Sequence, residues 1–393
     1  MKPRKITEGV SWVGAIDWDR KLFDALIPLP DGTSYNSYLI EGDEKTALID
    51  SVDPPFSGLL LEKLAGVEKI DYLVSNHAEQ DHSGSIPRVL DRYPEAKVVT
   101  NPKCQGMLID LLRIPEEKFI TVEDGGILSL GNRTLEFIYT PWVHWPETMS
   151  TFLREERILF SCDFFGSHLA TSDLFASDDD RVAEAAKRYY GEIMMPFRPT
   201  IVRNLDKIKG RDIFLIAPSH GPIYNHPSFI ISAYRKWVAD TCENSVVLPF
   251  VTMHGSTGLM VEHLLSALLE KGITVYPFNL AVTDVGKLVI ALVEAATIVI
   301  GTPTVLAGPH PLALNAAALV NALRPKARFA SIIGSYGWGG KTVEQITGAI
   351  ANLKIELLEP ILCQGLPGSD DFRALDGLAD AIAAKHRQVG AKP

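Results

Sequence analysis

Residues 75–84 read SNHAEQDHSG, placing His77, Glu79, Asp81 and His82 in one short stretch behind the apolar run IDYLVS. A solvated turn needs polar residues, but it has no reason to alternate imidazole with carboxylate. That mixture suits a metal site. In an extended backbone, residues two apart point the same way, so His77, Glu79 and Asp81 are expected to face one cavity. Hard oxygen donors mixed with imidazole favour iron or manganese over metals that recruit soft thiolates. Three further candidates lie downstream: His144 in TPWVHWPETM, Asp163 in ILFSCDFFG and His220 in IAPSHGP. A carboxylate arriving from a separate strand, as Asp163 would, is able to bridge two metals. Each of these three alone is more often a capping or hydrogen-bonding residue than a ligand. Together with the 77–82 group they point to a dinuclear site. His168, His226 and His254 are read as ordinary polar residues, not as metal ligands.

The elements that must position these groups change character along the chain. In residues 1–245, brief β-branched runs such as KTALIDS, DYLVSN, KVVT, TLEFIY, RILFSC and IFLIAP alternate with polar turns and helical stretches such as IPRVLDRY. The candidate ligands fall just after these strands, where layered α/β folds keep their chemistry. From about residue 246 the rhythm is regular. SVVLPFVT, ITVYPF, ATIVIGT, RFASIIGS and IELLEP read as buried strands, separated by helical patterns such as TGLMVEHLLSALLEKG. That is the pattern of an open parallel sheet with helices on both faces. Two domains are expected, 1–245 and 246–393, which agrees with a length of 393 residues.

Composition narrows the function classes. A net charge of −10 argues against nucleic acid or an anionic membrane surface as the main partner. Cys104, Cys162, Cys242 and Cys363 are widely spaced, without a CxxC pair, and suit a reducing cytoplasm. The N-terminus has no apolar export signal, and no apolar span is long enough to cross a bilayer.

The first half resembles the metallo-β-lactamase superfamily, whose usual signature is H-x-H-x-D-H. Glu79 stands here in place of the second histidine, and that departure is the pattern of the flavodiiron proteins. The surroundings agree: GTSYNSYLI at 32–40, HWPETM at 144–149, SCDFFG at 161–166 and SHGP at 219–222. The resemblance spans essentially the whole chain. It implies an αββα sandwich followed by a flavodoxin-like doubly wound parallel sheet. One iron would take His77, Glu79, His144 and a bridging Asp163, and the other Asp81, His82, Asp163 and His220. Tyr189 or Tyr190, in KRYYGEIMMPF, is a candidate for hydrogen bonding at the site.

In the second half, Thr252, Met253, His254, Gly255, Ser256 and Thr257 end a strand and open a helix. Their hydroxyls and backbone N–H groups make a phosphate cradle, which resembles the phosphate loop of flavodoxins. GTPTVLAG (Thr302, Pro303, Thr304, Val305, Leu306, Ala307 and Gly308) and GSYGWGG (Ser335, Tyr336, Gly337, Trp338 and Gly339) fall where a flavodoxin places its isoalloxazine loops. Tyr336 or Trp338 would cover a ring face. The bound flavin is expected to be FMN.

The resemblance implies electron transfer through FMN to two non-haem irons, with reduction of dioxygen to water or of nitric oxide to nitrous oxide. The competing readings are a zinc hydrolase with an accessory flavodoxin domain and a non-enzymatic electron carrier. No CxxC-rich rubredoxin-like extension follows AKP, so a separate donor is expected, such as a rubredoxin or a reduced deazaflavin cofactor. A head-to-tail homodimer, extendable to a dimer of dimers, is the implied assembly.

Overall fold

A computed structural model describes residues 2–391 apart from Asp24 and Asp178. The chain divides into two compact units, 1–190 with 197–238, and 191–196 with 239–393. The division falls a few residues ahead of 245/246, because the helix Pro227–Val238 ends there and the strand Glu243–Phe250 already belongs to the second unit.

The first unit stacks two sheets. One runs in the order Arg4–Thr7, Val10–Trp12, Tyr38–Glu41, Thr46–Ile49, Tyr72–Val74, Lys97–Thr100, Phe119–Thr121. The other runs Ile127–Ser129, Thr134–Tyr139, Met149–Leu153, Ile158–Cys162, Leu215–Pro218. Alternation along the strands decides the layers. Tyr38, Ile40, Ala47 and Ile49 point inward and meet Phe137, Met149, Leu153 and Phe160 of the second sheet. Leu39 and Leu48, on the opposite face, pack with Leu60, Val89 and Leu108 from helices Ser57–Lys63, Ile86–Arg92 and Pro102–Leu112. The result is the αββα sandwich.

The second unit is a parallel sheet in the order Thr274–Asn279, Glu243–Phe250, Ala295–Val305, Phe329–Tyr336, then Glu356–Leu357 and Ile361–Gln364. In chain order this is 2-1-3-4-5, the flavodoxin-like doubly wound arrangement with its switch point between the first and third strands. Two strands expected to be buried are edge elements instead. Residues 274–279 are exposed or half-buried, and Glu356–Leu357 is a short exposed pair, because each has a neighbour on one side only.

His386 closes this unit from the helix Ser369–Gln388. Its Nδ1–H donates to Asn244 Oδ1 at 2.8 Å, and Nε2 accepts from Thr297 Oγ1 at 2.7 Å. Burial pulls its pKa down to about 4. The unfolded chain, with a histidine pKa of about 6.5, therefore binds this proton first as pH falls. Stability from the neutral imidazole is complete above about pH 6.5 and is lost towards pH 4. The stability advantage of wild type over His386→Gln should shrink by roughly 2 kcal/mol between pH 7 and pH 4.5, after allowance for solvent screening. Paired denaturant melts at the two pH values check this; a constant gap would exclude His386 as the titrating group.

Candidate metal centre and cofactor cleft

The 77–82 motif is not one extended ladder. Glu79 keeps extended backbone angles, but residues Gln80–Ser83 form a short helix, with His82 N and Ser83 N both bonded to the Glu79 carbonyl. This turn sends Asp81 away from His77 and Glu79, and the seven candidates separate into two groups. His77, Glu79, His144 and Asp163 form one, and Asp81, His82 and His220 the other. Within each group, the ligating atoms lie within 4.8 Å of one another.

Asp163 faces both. Its Oδ2 lies 3.5 Å from His77 Nε2 and 3.4 Å from His144 Nε2, while Oδ1 lies 3.0 Å from His82 Nε2 and 3.6 Å from His220 Nε2. Glu79 Oε2 closes the first group at 3.2 Å from His77 and 3.0 Å from His144. Asp81 closes the second at 3.3 Å from His82 and 3.2 Å from His220. Two ligands about 2.1 Å from a common cation stand roughly 3.0–3.4 Å apart at octahedral or tetrahedral angles. The spacing fits.

Hydrogen bonding gives the same answer. Both oxygens of Asp81, both of Asp163 and both ring nitrogens of His82 are buried without a hydrogen-bond partner. Each such group costs about 1–3 kcal/mol unless something pairs it, and a cation between the groups would pair them. Burial by itself would lower the pKa of His77, but the carboxylates of Glu147 and Glu79 push it up to about 10. His82, lowered by burial, is raised to about 10 by Asp81 and Asp163; His144, likewise lowered, is raised to about 10 by Asp163 and Glu79. Burial would raise Glu79, yet His144 and His77 hold it well below the usual carboxylate range. Protons and metal ions compete for such a site, and a divalent cation neutralises the carboxylates as the protons do.

Several supporting residues escaped the sequence reading. Glu147 accepts from His77 Nδ1 at 2.7 Å, and Ser34 O accepts from His220 Nδ1 at 2.6 Å, so both imidazoles turn Nε2 toward the cluster. Asn36 holds the loop around His220 through the carbonyls of Pro218 (2.8 Å) and Gly221 (2.7 Å). Asp50, pushed up to about 6 by burial, accepts from both nitrogens of Asn76, next to His77. The only signals were HWPETM and GTSYNSYLI, which carried no roles.

The two tyrosines part company. Tyr189 lies edge-on to His168 at 4.8 Å and 5.9 Å from the His220 ring; burial and Asp163 hold its hydroxyl protonated. Tyr190 packs instead on Tyr234 and Trp237. His168, read as an ordinary polar residue, stands 4.9 Å from the His220 ring, with Nδ1 2.9 Å from Thr33 Oγ1. Burial keeps it neutral.

In the second unit, a cleft of about 280 Å³ opens at the ends of the first, third and fourth strands. Thr252, Met253, His254, Ser256, Thr257, Pro303, Thr304, Ser335, Tyr336, Gly337 and Trp338 line it, together with Gly365. Gly365, which follows the strand Ile361–Gln364, was not foreseen. Gly255 shapes the cradle from outside: it begins the helix Ser256–Glu270 at φ +94°, a left-handed conformation that favours glycine. Gly339 does not line the cleft.

The stretch 301–308 differs from the expected loop. The third strand continues to Val305 and pairs back on Gly308–Pro309, with Leu306 and Ala307 at positive φ forming a tight hairpin turn. Thr302 is turned inward, its hydroxyl accepting from His310 N at 3.0 Å. Only Pro303 and Thr304 of this stretch reach the cleft. A helix N-terminus, five serine and threonine hydroxyls and the side chains of Tyr336 and Trp338 around one cleft suit a flavin carrying a single terminal phosphate.

Similarity to known proteins runs through both units. A family model described as "ODP family beta lactamase" matches residues 33–221. The nitric oxide reductase of Moorella thermoacetica is 35% identical, covering 98% of this chain and 99% of that protein. The coenzyme F420H2 oxidase of Methanothermobacter marburgensis is 32% identical over 98% of this chain and 99% of its own. The structure of rubredoxin oxygen:oxidoreductase from Desulfovibrio gigas superposes with a TM-score of 0.95 at 28% identity, over 99% of this chain and 100% of that one. With the H-x-E-x-D-H motif folded into two ligand groups around Asp163, and similarity running the length of both units, this chain belongs to the flavodiiron family of type A flavoproteins.

Proposed function

We propose that this chain is an oxidoreductase that passes electrons through FMN to a non-haem diiron centre, reducing dioxygen to water, nitric oxide to nitrous oxide, or both. One observation carries the reading: Asp163 offers one carboxylate oxygen to each ligand group, the arrangement that a pair of irons requires. When bound, the irons would supply the gas-binding and electron-donating centre, and FMN the relay that feeds it.

The residues of the chain supply the rest. His77, Glu79, His144 and Asp163 would hold one iron, and Asp81, His82, Asp163 and His220 the other. The bonds from Nδ1 of His77 and His220 to Glu147 and Ser34 keep each ring in its ligating tautomer. Tyr189, protonated and buried beside the cluster, is placed to donate a hydrogen bond there, whereas Tyr190 packs on Tyr234 and Trp237. The N-terminus of the helix Ser256–Glu270 would hold the flavin phosphate, with Tyr336 and Trp338 beside the ring.

The relatives' names support two kinds of electron donor, a rubredoxin and a reduced deazaflavin. Among the described residues no helix is long and apolar enough to cross a membrane; the four cysteines are buried thiols outside any disulfide, which supports a reducing, cytoplasmic setting. A head-to-tail homodimer is supported by the large apolar side chains exposed on segments bordering the cleft: Met253, Leu306, Trp338 and Leu366.

The test is anaerobic. Protein expressed with iron should carry about two irons and one extractable FMN per chain, and once chemically reduced it should consume dioxygen or nitric oxide. Zinc without iron, with hydrolysis of a thioester and no gas consumption, would replace this reading by the hydrolase. Rates with each gas then rank the substrates.

A further inference from the structure

The two ligand groups are alike where they face the metals and unlike behind. In the first, His77 donates Nδ1–H to Glu147 Oε1 at 2.7 Å, and the same oxygen accepts the Ala78 N–H at 3.0 Å. The Glu147 side chain is fully buried, and Asn101 Nδ2 holds its backbone carbonyl at 2.6 Å. Trp145 stands edge-on to His77 at 5.0 Å and to His144 at 6.2 Å. Because Glu147 follows His144 in the same turn, one short segment ties both imidazoles of the group together.

The second group has less behind it. His220 donates Nδ1–H to the Ser34 carbonyl, a neutral acceptor. Nδ1 of His82 is buried with no hydrogen-bond partner, while both oxygens of Asp81 face the cluster. These two residues ride on the four-residue helix Gln80–Ser83. The His82 carbonyl accepts from Ser51 N at 2.7 Å and Ser51 Oγ at 2.6 Å, which anchors the backbone but leaves the imidazole untethered.

A carboxylate behind an imidazole makes it a more basic ligand and fixes its ring in the ligating pose; removing such a partner costs about 10–100-fold in metal affinity. A charged acceptor does this more strongly than a peptide carbonyl. Asp163 is common to both positions, so it cannot make them differ. Resting on the dinuclear reading above, we infer that the two metal positions are unequal: the group of His77, Glu79 and His144 loads first and releases last, with Glu147 as the positioning residue that sets the difference. The group of Asp81, His82 and His220 holds the exchangeable metal.

The experiment uses the full chain with its flavin, stripped of metal by a chelator and titrated anaerobically with Co²⁺, followed by calorimetry and visible absorption. Wild type should bind in two steps whose Kd values differ by at least about tenfold. Glu147→Gln keeps the size and an oxygen for Ala78 N–H but removes the charge. Its first step should weaken by about 10–100-fold, so that the two steps merge. A pair of ligand variants asks the same question if that protein does not fold. His220→Ala leaves the first group intact and should bind Co²⁺ more tightly than His144→Ala, which leaves the second. A single step in wild type, unaltered binding in Glu147→Gln, or equal affinities in the ligand variants would overturn the inequality. Failure of wild type to bind Co²⁺ at all would instead overturn the metal reading on which it rests.

Discussion

Asp163→Ala should purify with no more than one iron per chain and lose gas reduction by more than about a hundredfold. The reason is its position. Each of its oxygens lies within 3.6 Å of imidazole nitrogens from a different ligand group, and among the described residues no other carboxylate is placed between the groups. Even partners behind a ligand cost up to about 100-fold in metal affinity when removed, and a ligand shared by two metals should exceed that. Asp163→Asn separates charge from shape: the amide keeps the size but offers only one oxygen and cannot serve both groups. Metal analysis of both variants, with circular dichroism to confirm the fold, makes the comparison. Two irons retained in Asp163→Ala would remove this residue as the bridge.

The second large effect concerns the flavin and the assembly. Gly255→Asp with Ser256→Asp puts a β-carbon at φ +94° and two negative charges at the N-terminus of Ser256–Glu270, where the phosphate is expected. Flavin content should fall from about one per chain to near zero, and activity with it. A second variant, His77→Ala with Asp163→Ala, keeps the flavin and lacks metal. Electron transfer weakens steeply with distance, so each FMN must lie close to a pair of irons. In a head-to-tail dimer that pair belongs to the partner, and a mixed dimer retains one working combination of the two. After dissociation and reassociation of equal amounts, half of the dimers are mixed, and about a quarter of wild-type activity should return. Confirmed mixed dimers that stay inactive, with both chains folded, would falsify the crossed electron path.

Much of this was legible in residue types. Four metal-ligating side chains between positions 77 and 82, with His144, Asp163 and His220 each just after an apolar run, point to a mixed oxygen and nitrogen metal site however the chain folds. The regular strand–helix rhythm after residue 246 likewise announces a parallel sheet, and the Gly-Ser-Thr turn at 252–257 its phosphate end. These are local patterns, readable because strand and helix periods are set by neighbours along the chain.

The resemblance already grouped Asp81 with His82 and His220; what residue types alone left open, and the tertiary structure shows, is how the backbone brings that grouping about. An extended reading of 77–82 puts Asp81 with His77 and Glu79; one helical turn beginning at Gln80 hands it to His82 and His220. Tertiary structure also decided what stands behind the ligands. Glu147 meets His77 across 70 positions and Ser34 meets His220 across 186, contacts that depend on how two sheets stack and that leave no local periodicity. In the second unit, the resemblance to flavodoxins marked 301–308 as a flavin loop, but pairing of Val305 with Gly308 folded half of it into a hairpin and left Pro303 and Thr304 at the cleft. Side-chain chemistry is written residue by residue, whereas the direction each group faces is fixed by backbone hydrogen bonds and packing between segments far apart in the chain.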